Sequence, residues 1–435
     1  DDAIEASKIL NISLTHRGQL GDYPIPMSGI PHHAAAAYID RITAQGRKAV
    51  ICDQIEDPKD AVGIVRRGVT QIVSPGMPYD LSKTPEKEQR FIASAFKKDG
   101  QYYLIILDFT TGDFKGFIVN SAEALVARVQ MFAPREFVTC MGQWEGEELI
   151  TRYLTLSGVL KTHLSEEYFS KVNTGLYTEK LIPSFKRDKI IGQTPEILNP
   201  IGALAYYVCS TQMISDFVHI RPFQLMNEQG IMKVTVPTLS GLEILPKTPQ
   251  EYGHSLLGFV DKSQTAMGSR ALRQLFLAPS AERNEILKRH NLVEALIANS
   301  DLLAELRTEL SQVRDLERIM AKISTGKAIN GDLINLSRAI FIYEILEGKL
   351  QKKLDDLDSL GLTTLEKKAK ETLKKLAQHI EKAINDEIGA TLEKGNLVKP
   401  GYSKERDRLF RLSQNASDEL LKMEERYRQE TKIPK

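Results

Sequence analysis

Residues 91–119 hold three apolar runs, FIASAF, YYLIILDF and FKGFIV, parted by turns rich in Gly, Asp and Thr. Runs this short suit strands better than buried helices. The turns between them leave no room for a helical crossover, so the spacing predicts an antiparallel meander. Helical patterns follow at Ala122 to Phe132 and Glu147 to Leu156, with REFVTC between them as a further strand. Residues 91–225 therefore read as one α/β domain.

The flanks are of different kinds. In residues 1–78, Ala34 to Ala44 is helix-like, and RKAVICDQI and GVTQIVSPG read as strands, which makes a small mixed α/β module. Residues 79–90 are polar, carry a proline and read as a linker. From 226 onward, apart from an extended piece IMKVTVP, the pattern is helical. LLAELRTELSQVRDLERIMAKI and TTLEKKAKETLKKLAQHIEKAI are each expected to form a long amphipathic helix. A third spans 402–435, where Leu409, Leu412, Ala416, Leu420, Met423 and Tyr427 recur at steps of three and four, the seam of a heptad. The expected fold class is multidomain, α/β followed by all-α.

The formal charge is +1, from 58 basic and 57 acidic residues among 435, so any basic face is local. Cys52, Cys140 and Cys209 are too far apart in sequence for a zinc knuckle or redox pair, which fits a reduced, cytoplasmic setting. No apolar run reaches the roughly 20 residues a bilayer demands, and no membrane partner is expected. The first residues lie inside a helical pattern and the last follow a helical run, so the chain is expected to be a segment of a longer protein.

Several stretches invite chemistry. Asp108 ends a strand before a turn and a second strand, the placement of a first metal ligand in RNase H-like nucleases. Two metals would require further converging carboxylates; Asp113 is near but on the turn, and the plainer reading is a turn cap. His32 and His33 follow Pro31 in PMSGIPHHAAAAYI; adjacent histidines on a helix diverge, so a helix start is favoured over a metal site. Asp53, Glu56 and Asp57 read as a solvated turn before they read as a magnesium site. VDKSQTAMGSRALRQLFLAP, residues 260–279, places a glycine and two arginines at a helix start, as phosphate sites do. A phosphate cradle wants several glycines, though, and this stretch has Gly268 alone; its expected role is to let helices approach closely. Neither a GxxxxGK[ST] loop nor a GxGxxG is present.

Taken together, LNISLTHRG, IPMSGIPHHAAAAYIDRI, GRKAVICDQIEDP and VRRGVTQIVSPG resemble, in order and spacing, the N-terminal module of the MutS family of DNA mismatch repair proteins. VTVPTLSGLEIL, HSLLGFVDKSQTAMGSRALRQLFLAP and VRDLERIMAKI resemble the family's core, and VKPGYSKERDRL with EERYRQETKIP the start of its clamp. The resemblance implies a recognition domain at 1–78, an RNase H-like connector at 91–225, a helical core or lever at 226–393 and the start of a clamp of long helices at 394–435. It further implies a homodimer around duplex DNA bearing a mismatch or small loop, a downstream partner of the MutL type, and ATP with Mg2+ in the longer protein. The family's wedge phenylalanine and its ATPase loop are expected outside residues 1–435, so this segment is expected to bind no cofactor and to catalyse nothing. DNA contacts are expected at Arg17, Met27 and Ser28 in the module and at Lys404 and Arg408 in the clamp. The readings set against this one are an RNase H-like nuclease using Asp108 and a MutS-related protein of recombination junctions.

Overall fold

A computed structural model describes residues 2–58, 61, 63–81, 84–183, 189–214, 216–226, 230–354, 356–386, 396–414 and 416–431. The chain divides into two units, Asp1–Leu287 with Met320–Lys327, and Lys288–Ile319 with Ala328–Lys435.

The first unit opens with α1 (Asp2–Leu10), β1 (Leu14–Leu20), β2 (Tyr23–Ser28), α2 (Ala35–Ala44), β3 (Ala49–Gln54) and β4 (Arg67–Val73). β1 pairs with β2 and β3 with β4, both antiparallel and each with one register shift. Gly21 turns the first hairpin at a φ of +63°, in the left-handed region that glycine enters without strain. Arg41 donates to the carbonyl of Ile9 at 3.3 Å and Arg47 meets Glu5 at 2.6 Å, which ties α2 and the turn after it back to α1.

The predicted meander is present as β5 (Phe91–Lys98), β6 (Gln101–Asp108) and β7 (Asp113–Val119). α3 (Ala122–Phe132), β8 (Glu136–Cys140), α4 (Glu148–Leu156) and β9 (Leu160–Leu164) follow, then α5 (Lys171–Leu181), α6 (Lys189–Gln193), α7 (Leu198–Gln212) and β10 (Gln224–Leu225). Among the described residues the sheet runs β10-β7-β6-β5-β8-β9, antiparallel through β7-β6-β5 and parallel through β5-β8-β9. Its central strands are covered on both faces, which is why YYLIILDF is a continuous apolar run instead of an alternating one. Leu104 and Ile106 point into a core with Leu125, Val129 and Leu154. Tyr103, Ile105 and Leu107 point into a second core with Ile201, Leu204 and Val208 of α7. α7 lies close on α5 because residue 202 is glycine: a Cβ there would sit 2.5 Å from the Cα of Thr174.

Beyond β10 the expected extended piece is irregular, with an isolated bridge from Ile231 to Ser280 among the described residues. Then come α8 (Val236–Gly241), α9 (Leu256–Val260), α10 (Ala266–Leu277) and α11 (Arg283–Ala298). The stretch at 260–279 is a helix start fixed by its own side chains. Thr265 caps α10 by accepting from the amide of Gly268 at 3.0 Å. A Cβ at 268 would meet Thr265 and Ser263 of the same turn, so this glycine serves the cap and not the helix approach expected of it. Buried Arg270 donates to the carbonyl of Glu86 at 2.6 Å. Asp261 accepts from Lys87 at 2.7 Å and Tyr252 at 2.6 Å. Burial works against the charge on Asp261, but the hydrogen bonds from Lys87, Tyr252 and Ser263 outweigh it and hold the carboxyl well below the usual range. The polar segment before β5, read as a linker, is thus a strap pinned along the unit.

α12 (Ser300–Leu310), α13 (Leu316–Ser324), α14 (Asn330–Lys353), α15 (Lys367–Ala383), α16 (Lys404–Gln414) and α17 (Ala416–Thr431) complete the chain. The single helix expected over 302–323 is two. Ser311, Gln312 and Val313 close α12 with turn hydrogen bonds, and Asp315 opens α13 by accepting from the amide of Arg318 at 3.4 Å. In the second unit α14 and α15 are joined by Ser337 donating to the carbonyl of Ala377 at 3.1 Å and by ion pairs of Lys370 with Glu347 and Lys374 with Glu344. The seam residues Leu409, Leu412, Leu420, Met423 and Tyr427 are exposed on α16 and α17.

Candidate nucleic-acid interface

Every residue of β1 and all of β2 but Ser28 are exposed. His16 pairs with Pro26 and Gln19 with Pro24, so Arg17 and Gly18 together face Ile25 in a two-against-one bulge. Gly18 takes the φ of +74° that such a bulge asks for. The bulge sets Arg17 off the regular ladder. Met27 lies across from Thr15, whose hydroxyl donates to the Met27 carbonyl at 3.0 Å, and Ser28 lies across from Leu14. Arg17, Met27 and Ser28 therefore share one hairpin. Around them Leu20 and Tyr23 are 77% and 78% exposed, with Leu14 and Ile25 also open to solvent. An exposed cluster of large apolar groups with a cation set among them is a surface built for contact.

The hairpin projects from a module whose root is sealed. β4 carries the buried Gln71 and Val73. Just beyond it the amide of Gly76 donates to Glu136 Oε1 at 2.6 Å, and the hydroxyl of Tyr207 donates to Glu136 Oε2. Glu136 is fully buried. Burial, then the neighbouring Glu136 carboxylate, pushes the Tyr207 phenol far above its ordinary value. Lys48 donates to Thr162 at 2.9 Å and lies 4.7 Å over the Tyr207 ring; desolvation lowers its pKa, with Glu136 opposing. Lys48, Glu136 and Tyr207 are positioning residues absent from the sequence reading. The Gly-Asp pair at 21–22, between two strand-capable runs, is the signal that would have placed the hairpin itself.

Lys404 and Arg408 lie on exposed α16 in the second unit. Lys404 opens the helix, where a cation opposes the macrodipole. Arg408 forks onto Glu405 at 3.0 and 2.7 Å, which raises the arginine's pKa and lowers the glutamate's. Arg406 bonds Asp407 at 3.0 Å and lies 4.5 Å over the Phe410 ring. The basic run is therefore interleaved with acids along the helix, and such exposed pairs contribute little to stability.

The other candidates have local duties. Asp108 is 0% exposed and accepts from the Thr110 amide at 2.9 Å, the Thr110 hydroxyl at 2.7 Å and the Arg90 amide at 3.3 Å. Burial raises its pKa and the Thr110 bonds oppose the rise. Asp113 pairs with Lys115 at 2.5 Å and Arg221 at 3.4 Å. A sealed turn cap does not offer a metal or a nucleic acid an open coordination site, so the Asp108 nuclease is set aside. His32 and His33 form a short 3-10 turn after Pro31 and are exposed. Asp53 accepts from the Thr70 hydroxyl at 2.9 Å and Glu56 from the Arg66 amide at 2.5 Å, both across the β3–β4 hairpin.

Comparison with known proteins covers both candidate surfaces. The MutS domain I family model matches residues 1–82, which include the β1–β2 hairpin, and the MutS domain III family model matches residues 237–430, which include Lys404 and Arg408. The chain is 30% identical over 435 residues to the DNA mismatch repair protein MutS of Streptococcus thermophilus, covering 100% of this chain and 48% of the relative. It is 31% identical over 442 residues to the MutS protein of Caldicellulosiruptor bescii, again covering 100% and 48%, and 31% identical over 438 residues to that of Bacillus cytotoxicus, covering 100% and 46%. The chain thus spans about half the length of the curated relatives it matches. With one MutS domain at each end and similarity to MutS proteins running through all that lies between, the chain belongs to the MutS family.

Proposed function

We propose that the protein recognises mismatched or looped-out bases in duplex DNA, with β1–β2 as the surface that meets the duplex. The observation that carries this reading is the hairpin: wholly exposed but for Ser28, presenting Leu14, Leu20, Tyr23, Ile25 and Met27 to solvent, bearing Arg17 in a bulge, and inside the MutS domain I match. A mismatch stacks poorly, so bending the duplex there costs less than at paired bases, and apolar groups applied from the minor-groove side can read that difference. Arg17, Lys404 and Arg408 supply phosphate contacts that position without specifying sequence. Lys404, placed where it does not favour its own helix, suits that role.

The domain limits proposed are recognition at 1–78, a linker at 79–90, an RNase H-like connector at 91–225, a helical core or lever at 226–393 and the start of a clamp at 394–435. The order β7-β6-β5-β8-β9, antiparallel and then parallel, supports the connector assignment. Among the described residues no helix is long and apolar enough to cross a membrane, in keeping with a cytoplasmic protein. For the whole protein we further propose a homodimer, a MutL-type partner, and signalling driven by ATP with Mg2+. The stretch 260–279 does not fit that cofactor: the Gly268 amide is bound by Thr265 and Arg270 by a carbonyl.

Fluorescence anisotropy with labelled duplexes tests the reading. The whole protein is expected to bind a duplex with one G·T pair more tightly than its G·C control, with affinity falling steeply as salt rises. Equal affinity at matched salt would overturn it.

A further inference from the structure

The turn after α13 carries a lysine that reaches two separate parts of the first unit. Lys327 is the last residue of that unit before the chain passes into the second at Ala328. Its ammonium donates to Gln71 Oε1 of β4 at 2.7 Å and to the carbonyl of Tyr79 in the strap at 2.9 Å, and it lies 5.1 Å over the Tyr79 ring. Gln71 in turn donates to Gln212 Oε1 of α7 at 3.2 Å, and Gln212 donates to the carbonyl of Ile72 at 3.4 Å. Gln71 and Gln212 are buried, so each depends on these partners for its polar atoms. Desolvation lowers the pKa of Lys327, with Asp80 opposing, yet the residue as a whole remains exposed. The ammonium of an exposed lysine is here turned back onto protein acceptors, whereas a surface lysine ordinarily keeps its head in water.

This bond adds little to a core. Its partners lie in the root of the hairpin-bearing module and in the strap that leads from it. We propose that Lys327 is a positioning residue, fixing the orientation of the β1–β4 module on the rest of the first unit by tying the module's root to the turn that ends at Lys327. The consequence for DNA rests on the mismatch reading above: a module loosened at this point presents its hairpin in many orientations, and discrimination between a kinkable and a stiff duplex falls.

The test compares wild type, Lys327→Met and Lys327→Arg by amide hydrogen exchange and by anisotropy with the G·T and G·C duplexes. Because Lys327 is exposed, methionine removes the donors without opening a core cavity. Loss of a charged donor to Gln71 and Tyr79 is expected to speed exchange at residues 69–73 and 77–81 about tenfold, with β5 and β6 unchanged. The affinity ratio is expected to move toward parity, and arginine, which keeps the donors, is expected to restore both. Unchanged exchange at 69–73 in Lys327→Met would overturn the proposal, as would an equal rise across β5 and β6, which would mark a loss of general stability. A wild-type protein that binds both duplexes equally would refute mismatch recognition while exchange still decides the anchor. Faster exchange at the root with an unaltered ratio in a discriminating protein would refute the positioning role.

Discussion

The β6 strand and the β1–β2 hairpin are built from the same kind of element and treated in opposite ways. Seven of the eight residues of β6 are buried, between two cores that face its two sides. In β1–β2 no residue is buried, and the apolar side chains look outward. Each fully buried aliphatic side chain stabilises a fold by about 1.5–3 kcal/mol, so β6 alone makes a large contribution. An isolated two-stranded hairpin is marginal in water. The hairpin therefore owes its order to α1, which packs on it, and to the sealed root of the module. One region holds the first unit together; the other is held by it and stays open to solvent.

The comparison can be broken most forcefully in the core. Leu104→Ala is expected to lower unfolding free energy by about 2–5 kcal/mol, while Tyr23→Ala on the hairpin stays within about 0.5 kcal/mol. Urea unfolding followed by circular dichroism checks both; similar losses would erase the distinction.

The next effect is one of pH. His219 is buried, bonds the carbonyl of Phe109 through Nε2 at 2.9 Å and packs edge-on against the Phe109 ring. Burial, opposed by that hydrogen bond, lowers its pKa to about 4. The unfolded chain binds the proton near pH 6.5, before the folded chain does, so the contribution is whole above about pH 6.5 and is lost as pH falls toward 4. Unfolding free energy is expected to fall across that window by up to about 1.4 kcal/mol per pH unit, and the slope to flatten in His219→Phe. An equal slope in the variant would assign the loss to other groups.

At the module's root, Tyr207→Phe leaves a buried Glu136 oxygen without its donor and is expected to cost about 1–3 kcal/mol. Exchange at β4 should rise with it. The smallest change in stability is expected on the proposed contact surface: Arg17→Ala should leave unfolding unaltered within about 0.5 kcal/mol while weakening DNA binding and reducing the salt slope by about one. A stability loss as large as that of Tyr207→Phe would make Arg17 structural.

The sequence made the buried region legible and the exposed one obscure, for the same reason. Strands covered on both faces must be apolar throughout, so β5, β6 and β7 stand out, and α3, which Ser121 caps, was placed to the residue at both ends. LTHRGQL and YPIPMS bury nothing and carry no alternation, so only the family resemblance drew attention to Arg17, Met27 and Ser28. Asp315 as a helix cap was hidden inside a heptad-like leucine pattern that ran past it. Gly268 was misread because helix contact and capping ask for the same residue. Bonds that join Lys327 to Gln71, or Tyr207 to Glu136, link residues 256 and 71 positions apart, and no local pattern encodes them.

The central claim is that an exposed hairpin, fixed from its root, is the surface that meets DNA. Amide hydrogen exchange with and without a G·T duplex tests it most directly. The account predicts slowed exchange in Leu14–Ser28, with β5, β6 and β8 unchanged. Protection that spared the hairpin and appeared on the central sheet would contradict it.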